Sequence, residues 1–397
     1  MAPGHDRRVT KRRVAILGCT GSVGTQALQI VAENPDRFTV CLLAARSSGE
    51  SLARSAATYR PAAACLTATD APRPDLPGDC RWLPGESGLL EALDATAPDI
   101  VLNAITGAAG LAASAWTLQA GRSLALANKE SLVMAGDYLM PLAAKTGARI
   151  LPVDSEHCAV FQCLDGEDPA AVRRIHLTAS GGPFRTRPLD TFDAITVQEA
   201  LKHPTWNMGP RITIGSATMM NKAFEVLEAH WLFGLPAERI RVVIHPQSIV
   251  HSMVEFRDGS ILAQAGVPDM RVPILYCLGY PERLPFAFEP FDPLRWRTLE
   301  FHEVETARYP AVDLAYRVLA AGGDAGAVLN AVDEVATAAF LAGRIPFRAI
   351  TELSRRVLEA RPSRPITSLA DVVAADAQAR QLAESELARS HRDPSWN

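Results

Sequence analysis

The chain has 397 residues, 48% of them hydrophobic and 21% charged, with a formal net charge of −4. It is too long for one ordinary core, so two or three domains are expected. Its charge balance argues against a general affinity for nucleic acid, and no stretch approaches the roughly 18 apolar residues that span a bilayer.

The one basic run is Arg7, Arg8, Lys11, Arg12 and Arg13. It is too short for a targeting signal and lacks the apolar segment and serines of one, so it reads as a solvated tail. Val14-Ala15-Ile16-Leu17 is a short apolar strand, followed by Gly18-Cys19-Thr20-Gly21-Ser22-Val23-Gly24. Val23, Ala27, Ile30 and Val31 then share one helical face until Asn34-Pro35 stops the pattern. Strand, glycine turn and helix form the context of a dinucleotide site. Glycines let the backbone approach a pyrophosphate, and the helix N-terminus offers N–H groups and a positive dipole end. The spacing is G-x-x-G-x-x-G, which a structural tight turn alone also explains. A second apolar run, Val40 to Ala45, stands where the next parallel strand belongs. It ends in Arg46-Ser47-Ser48, and an arginine there accommodates a 2′-phosphate, which favours NADP over NAD.

Residues 99–105 and 123–127 read as further strands, the second running into Asn128-Lys129-Glu130. Ligands in such folds bind at carboxyl strand ends, so Lys129 is a candidate neighbour of nicotinamide or substrate. Next comes Leu151-Pro152-Val153-Asp154-Ser155-Glu156-His157. On a strand, Asp154 and Glu156 point the same way and repel unless a cation lies between them. All-oxygen ligation suits Mg²⁺ or Mn²⁺ and does not need His157. Cys158 beside them reads either as a reactive thiol or, the commoner role, as small buried filler. The seven cysteines are scattered and never spaced C-x-x-C, which suits a reducing cytoplasm.

Thr178-Ala179-Ser180-Gly181-Gly182 ends a strand in a possible anion-binding turn. His203-Pro204-Thr205-Trp206 reads as a lid or as a loop anchored by its tryptophan. Met220, Phe224, Leu227 and Trp231 form the buried stripe of a helix. On another face, Asn221 and Glu225 lie one turn apart, with Lys222 adjacent and Ser216 upstream. Glu225 supplies a third carboxylate, and the group suits a phosphorylated, metal-chelating ligand. A solvated polar face is the plainer alternative.

GCTGSVG, ANKES, LPVDSEH, TASGGPFR, HPTWNMG, SATMMNK with Glu225, and HPQSIVHSMVEF together resemble the signature blocks of the 1-deoxy-D-xylulose 5-phosphate reductoisomerase family, in order and spacing. The resemblance implies Asp154, Glu156 and Glu225 as ligands of a divalent metal. It implies Ser155, Ser180, His203, Ser216, Asn221 and Lys222 as substrate contacts and Trp206 as the aromatic of a mobile flap. It implies Thr20, Gly21, Ser22, Val23, Asn128, Lys129, Glu130 and Gly209 as NADPH contacts. Ala45-Arg46-Ser47 stand where the family commonly has Gly-Lys-Asn, which keeps the positive charge. Thr205, Gly215 and Ala223 are further departures. The implied reaction is rearrangement of the substrate and its reduction by NADPH to 2-C-methyl-D-erythritol 4-phosphate, with Lys129 and Lys222 among the catalytic groups and Lys222 acting electrostatically. A homodimer is implied as well.

After a hairpin signal at Arg257-Asp258-Gly259-Ser260, residues 281–310 are rich in proline and aromatics and read as a linker. From Ala311 the chain is alanine-rich and helical, broken at Gly322-Gly323 and Gly343, with a capping box at Ser368-Leu369-Ala370-Asp371. The expected fold is α/β: an N-terminal Rossmann-like parallel sheet (1–150, NADPH), a central α+β catalytic domain (151–280), the linker, and a C-terminal helical bundle (311–397). Three other readings stay in view. They are a metal-dependent phosphosugar aldolase or isomerase, a nucleotide-binding redox sensor, and another NADP oxidoreductase.

Overall fold

The computed structural model describes residues 11–202, 209–285, 287 and 291–390. The described chain divides into two compact units interleaved in sequence. The first takes the described residues of 1–128, 143–153 and 270–286, and the second those of 129–142, 154–269 and 287–397.

In the first unit, strands β1 (Arg12–Leu17), β2 (Phe38–Ala45), β3 (Ala63–Leu66), β4 (Arg81–Trp82), β5 (Ile100–Asn103), β6 (Ser123–Leu126) and β7 (Ile150–Pro152) form one sheet in the order β4-β3-β2-β1-β5-β6-β7. Every pairing is parallel. Helices α1 (Ser22–Glu33), α2 (Gly49–Tyr59), α3 (Gly85–Thr96) and α4 (Leu111–Gln119) connect successive strands, while α5 (Glu130–Thr146), which follows β6 in sequence, has its residues up to Leu142 in the second unit. A parallel sheet covered on both faces needs unbroken apolar strands. Val14, Ala15, Ile16 and Leu17 accordingly have no exposed surface at all. The strand order reverses between β1 and β5, and such folds bind ligands outside the carboxyl ends of strands at that switch. Arg12 and Arg13, expected in a solvated tail, instead belong to β1. The Arg12 guanidinium donates to the carbonyls of Leu278 (2.8 Å) and Tyr280 (3.1 Å), so pairing with β2 and these bonds overcome the pull of solvent on its charge.

The second unit holds α6 (Ser155–Cys163), β8 (Val172–Ala179), α7 (Val197–Ala200), α8 (Pro210–Ala217), α9 (Met220–Phe233), β9 (Ile240–Ile244), β10 (Val250–Phe256) and β11 (Ile261–Ala265). Its sheet runs β11-β10-β8-β9, with β8 and β9 parallel and the other pairs antiparallel. The hairpin read around Asp258 is β10–β11. α10 (Arg271–Gly279) belongs to the first unit. Four helices follow: α11 (Pro310–Ala321), α12 (Ala325–Leu341), α13 (Ala349–Ala360) and α14 (Leu369–Ser390). The breaks fall at the expected glycines, and Ser368 and Asp371 exchange capping bonds ahead of α14.

One core joins Ile175, Leu177, Val242 and Val254 of the sheet to Met220, Phe224 and Leu227 of α9 and to Val312 and Ala315 of α11. A second joins Phe184 and Phe192 to Val332, Phe340, Leu353 and Ala383 of the helical bundle. Each large apolar side chain buried in this way contributes roughly 1.5–3 kcal/mol. These cores hold β8, α8 and α9, the elements that carry the candidate chemistry.

Candidate active site

Asp154 is the N-cap of α6, and Ser155 and Glu156 are its first residues. The strand has already ended at Pro152, so the same-face argument from strand alternation does not apply. What brings the carboxylates together is the first helical turn facing α9. Trp231, expected in the buried stripe of α9, is only half-buried, whereas Met220, Phe224 and Leu227 are buried as expected. Nearly the whole of α9 is enclosed, including Lys222, Glu225 and Glu228.

The charged groups alternate. Glu156 Oε1 lies 2.8 Å from Lys222 Nζ, which also pairs with Glu225 Oε2. Glu225 Oε1 lies 3.0 Å from Lys129 Nζ, which also pairs with Asp154 Oδ2. The sequence is therefore Glu156, Lys222, Glu225, Lys129, Asp154, three carboxylates linked by two ammonium groups. Ser155 Oγ donates to Glu156 Oε2 at 2.6 Å.

Burial disfavours each of these charges, and the neighbours decide the balance. For Lys129 burial is outweighed by Asp154, Glu225 and Glu228, which hold it well above the usual lysine value. Lys222 is likewise raised, burial being outweighed by Glu156 and Glu225. Glu156 is held well below the usual carboxylate range, because Lys222, Ser155 and Lys129 overcome its burial. Glu225 is pushed up to about 7 by burial and by the negative charge of Glu156, which the lysines only partly offset.

The donors fit a hard dication. Asp154, Glu156 and Glu225 offer carboxylate oxygens only, the ligand type that Mg²⁺ and Mn²⁺ take. Donor atoms of Asp154, His157 and Glu225 all fall within 4.8 Å of one another. Within this group, His157 Nε2 lies 2.9 Å from the Glu225 carbonyl oxygen, and Nδ1 faces Glu228 Oε2 at 3.2 Å without the geometry of a hydrogen bond. Glu156, the third carboxylate of the sequence reading, is not in that group and is joined to Glu225 through Lys222.

A second group lies at the end of β8. Gly181 and Gly182 have φ of +80° and +64°, so the turn after Ser180 needs glycine. A Cβ on Gly182 would lie 2.8 Å from the Ser216 carbonyl oxygen, and one on Gly215 would lie 2.6 Å from Asn221 Oδ1. The missing side chains thus let the Ser180 turn, Ser216 and Asn221 crowd together. Asn221 Nδ2 donates to the Ile212 carbonyl at 2.9 Å. Lys222, grouped with them in sequence, turns instead to the carboxylates. Gly209 is the N-cap of α8. His203 and Trp206 lie outside the described residues.

In the first unit, Gly18 ends β1 with φ +80°, and a Cβ there would lie 2.5 Å from the Ala104 carbonyl oxygen beyond β5. A Cβ on Gly24 would lie 2.2 Å from the Gly18 carbonyl oxygen. The spaced glycines therefore set the start of α1 against the β1 turn at the switch point. Gly21 is the N-cap and supplies no side-chain cap, and Gly21 and Ser22 are exposed, with Thr20 and Val23 half-buried. That leaves an exposed helix start of the kind that receives phosphate. Ala45 is buried at the end of β2, and Arg46 and Ser47 are exposed just after it.

Asn128, Lys129 and Glu130 part company. Asn128 is buried, and its Nδ2 donates to the carbonyls of Ile105 (2.6 Å) and Gly107 (2.9 Å). Lys129 joins the carboxylates. Glu130 pairs with Arg211 at 3.2 Å.

Three family models match the chain. They are 1-deoxy-D-xylulose 5-phosphate reductoisomerase over residues 14–136, the 1-deoxy-D-xylulose 5-phosphate reductoisomerase C-terminal domain over 150–233, and the DXP reductoisomerase C-terminal domain over 265–382. A 1-deoxy-D-xylulose 5-phosphate reductoisomerase from Janthinobacterium sp. (strain Marseille) is 47% identical over 385 residues, covering 94% of this chain and 99% of that protein. The chain belongs to the 1-deoxy-D-xylulose 5-phosphate reductoisomerase family. Among solved structures, the 1-deoxy-D-xylulose 5-phosphate reductoisomerase from Zymomonas mobilis in complex with NADPH matches with a TM-score of 0.87 at 38% identity, over 95% of this chain and 99% of that one. A DOX-P reductoisomerase in complex with NADPH, fosmidomycin and magnesium matches with a TM-score of 0.87 at 36% identity, over 95% and 98%.

In this member of the reductoisomerase family, two buried groups escaped the sequence reading. His157 was set aside, yet it is fully enclosed and holds the backbone of Glu225. Glu228 was not considered, yet it too has no exposed surface, and burial raises its carboxyl above the usual range against the pull of His157. The available signal was Glu225-x-x-Glu228, two carboxylates on one side of a helix whose other positions are apolar.

Proposed function

We propose that this chain rearranges 1-deoxy-D-xylulose 5-phosphate and reduces the product to 2-C-methyl-D-erythritol 4-phosphate, using NADPH and Mg²⁺ or Mn²⁺. The observation that carries the proposal is the alternating array of Asp154, Lys129, Glu225, Lys222 and Glu156 in a chain of this family. Asp154, Glu156 and Glu225 would hold the dication, whose Lewis acidity lowers the cost of charge on the substrate's carbonyl and hydroxyl oxygens. Thr20, Gly21, Ser22, Val23, Ala45, Arg46 and Ser47, with Asn128, Lys129, Glu130 and Gly209, would serve NADPH, which supplies hydride.

The chain's own residues do the rest. Lys129 and Lys222 keep their protons at neutral pH, since their neighbours raise both, so they act as fixed positive charges and hydrogen-bond donors rather than bases. Ser155 orients Glu156 through its hydroxyl. Ser180, Ser216 and Asn221, drawn together by Gly182 and Gly215, bind the phosphate end and hold the fragments in register while the carbon skeleton changes. His203 and Trp206 complete the proposal as substrate contact and flap.

The functional division follows the sequence reading: an NADPH-binding part in 1–150, a catalytic part in 151–280, a linker, and a helical part in 311–397. We also assign a homodimer, supported by edge strand β11, on which Ile261 and Leu262 are 52% and 42% exposed. A cytoplasmic setting is supported by seven cysteines that are all buried and unpaired. Among the described residues no helix is long and apolar enough to cross a membrane.

The test is an assay with 1-deoxy-D-xylulose 5-phosphate, NADPH and Mg²⁺, following NADPH oxidation and product together and repeated with EDTA. Stoichiometric oxidation that stops on chelation is expected. Conversion of the substrate to a rearranged, unreduced isomer without NADPH loss would instead place the chain among metal-dependent isomerases.

A further inference from the structure

We propose that Tyr309 is a positioning residue for the substrate's phosphate group, acting through the turn Ser180-Gly181-Gly182. The proposal rests on the reading of that turn as phosphate-binding.

Tyr309 immediately precedes α11 and is 2% exposed. Its hydroxyl donates to the Gly181 carbonyl at 2.6 Å. That carbonyl and the Gly182 N–H belong to one planar peptide unit, so fixing the first fixes the direction of the second. The Gly182 N–H donates to Ser180 Oγ at 3.2 Å. Two hydrogen bonds through one peptide plane thus connect the phenol to the serine hydroxyl. The turn has little rigidity of its own, because Gly181 and Gly182 both stand at positive φ and glycine populates many alternatives. The same Gly182 abuts the Ser216 carbonyl, so the orientation of this peptide also sets the spacing between the two serines.

The neighbouring residue reinforces the anchor. Arg308 Nη1 donates to the Phe184 carbonyl at 3.1 Å and also to that of Arg187, and its guanidinium lies 5.5 Å from the centre of the Phe192 ring. Phe184 is seated against Phe192 and Phe347. The chain leaving the turn is therefore fixed at Phe184, and the one peptide whose direction matters for Ser180 is held by Tyr309. Burial pushes the phenol up to about 12, so it remains a donor throughout the working pH range.

The experiment compares wild type, Tyr309→Phe, Ser180→Ala and the double variant. Tyr309→Phe keeps the buried ring and removes only the hydroxyl. The KM for 1-deoxy-D-xylulose 5-phosphate and the dissociation constant of inorganic phosphate, measured by calorimetry without turnover, are both expected to rise about three- to tenfold, the change commanded by one hydrogen bond. kcat falls less than KM rises, and the KM for NADPH stays put. In the Ser180→Ala background, Tyr309→Phe adds no further loss of phosphate affinity, because it acts through Ser180. An additive loss marks a merely structural role and overturns the proposal. So does an unchanged phosphate constant, or a wild type that binds no inorganic phosphate. If wild type binds phosphate more tightly than Tyr309→Phe but does not turn over the sugar phosphate, the anchor stands and the functional reading fails.

Discussion

His157 and Glu228 face each other at 3.2 Å with neither side chain exposed to solvent. The other imidazole nitrogen of His157 meets the Glu225 carbonyl oxygen at 2.9 Å. A carbonyl only accepts, so Nε2 carries a proton. Nδ1 and both Glu228 oxygens lack a hydrogen-bond partner, so the two groups meet by charge and proximity alone. Glu228→Gln can donate to the neutral ring in the same space, so its expected cost is below about 1 kcal/mol. Glu228→Ala strands the ring and leaves a void, with an expected loss of about 3–5 kcal/mol. Urea midpoints of the two variants check this. Equal losses would show that the amide does not replace the carboxyl at this contact.

Glu225 touches both lysines of the array, so its removal reaches furthest. Glu225→Gln is expected to abolish turnover, since it removes one of the three proposed negative donors and leaves Lys129 and Lys222 with less compensation. Mn²⁺ binding followed by electron paramagnetic resonance gives a readout independent of activity, and an affinity at least about tenfold weaker is expected. A variant with near-normal turnover and unchanged Mn²⁺ affinity would remove Glu225 from the ligand set.

The same residue sets a pH dependence. Its carboxyl is pushed up to about 7, so below that pH it carries a proton that a dication must displace, and above it the charged form is already present. Mn²⁺ affinity is therefore expected to fall as pH drops below 7, by up to about tenfold per unit for one proton exchanged. Glu156 is held low and stays ionised through this window, so it adds no dependence of its own. A flat affinity between pH 5.5 and pH 8, both chosen for the titration as roughly bracketing that value, contradicts the competition.

The glycine turn after β1 was legible because backbone sterics act within a few residues: Gly18 and Gly24 stand where the chain must touch itself. The four C-terminal helices were legible from alanine-rich stretches and their glycine breaks. The segment at Asp154 was misread because strand periodicity was carried past Pro152 as far as Glu156, although an Asp followed by an acidic first turn is a helix-start signal. Arg12 was misread because charge suggested solvent, whereas its partners are the carbonyls of residues more than 260 positions away. α9 shows the deeper limit. Apolar periodicity treats Lys222, Glu225 and Glu228 as a wet face, and only pairing across the fold with Lys129, Glu156 and His157 makes their burial tolerable.

Gly24 offers a test of that turn. A Cβ there would sit 2.2 Å from the Gly18 carbonyl oxygen, a backbone atom that cannot swing aside, whereas one on Gly21 would be 3.3 Å from the same atom. Gly24→Ala is expected to cost about 1–3 kcal/mol through forced backbone movement, with Gly21→Ala costing clearly less. Thermal midpoints rank the two, and NADPH titration by fluorescence should show the same order. The reverse ranking would mean that α1 does not rest on Gly18 as described.

Arg46 stands exposed just past the end of β2, beside the switch between β1 and β5 where the cofactor's adenosine end is expected. A guanidinium there meets a 2′-phosphate with charge and hydrogen bonds together, and hydrogen bonds to a charged group are worth about 1.5–3 kcal/mol. Arg46→Ala is therefore expected to raise the KM for NADPH by roughly ten- to a hundredfold, with little change for NADH, which has a hydroxyl at that position. The effect on NADPH should also shrink with added salt, because an exposed charge pair is screened. Equal changes for the two cofactors would leave Arg46 an ordinary surface residue and move 2′-phosphate recognition to Ser47 or its neighbours.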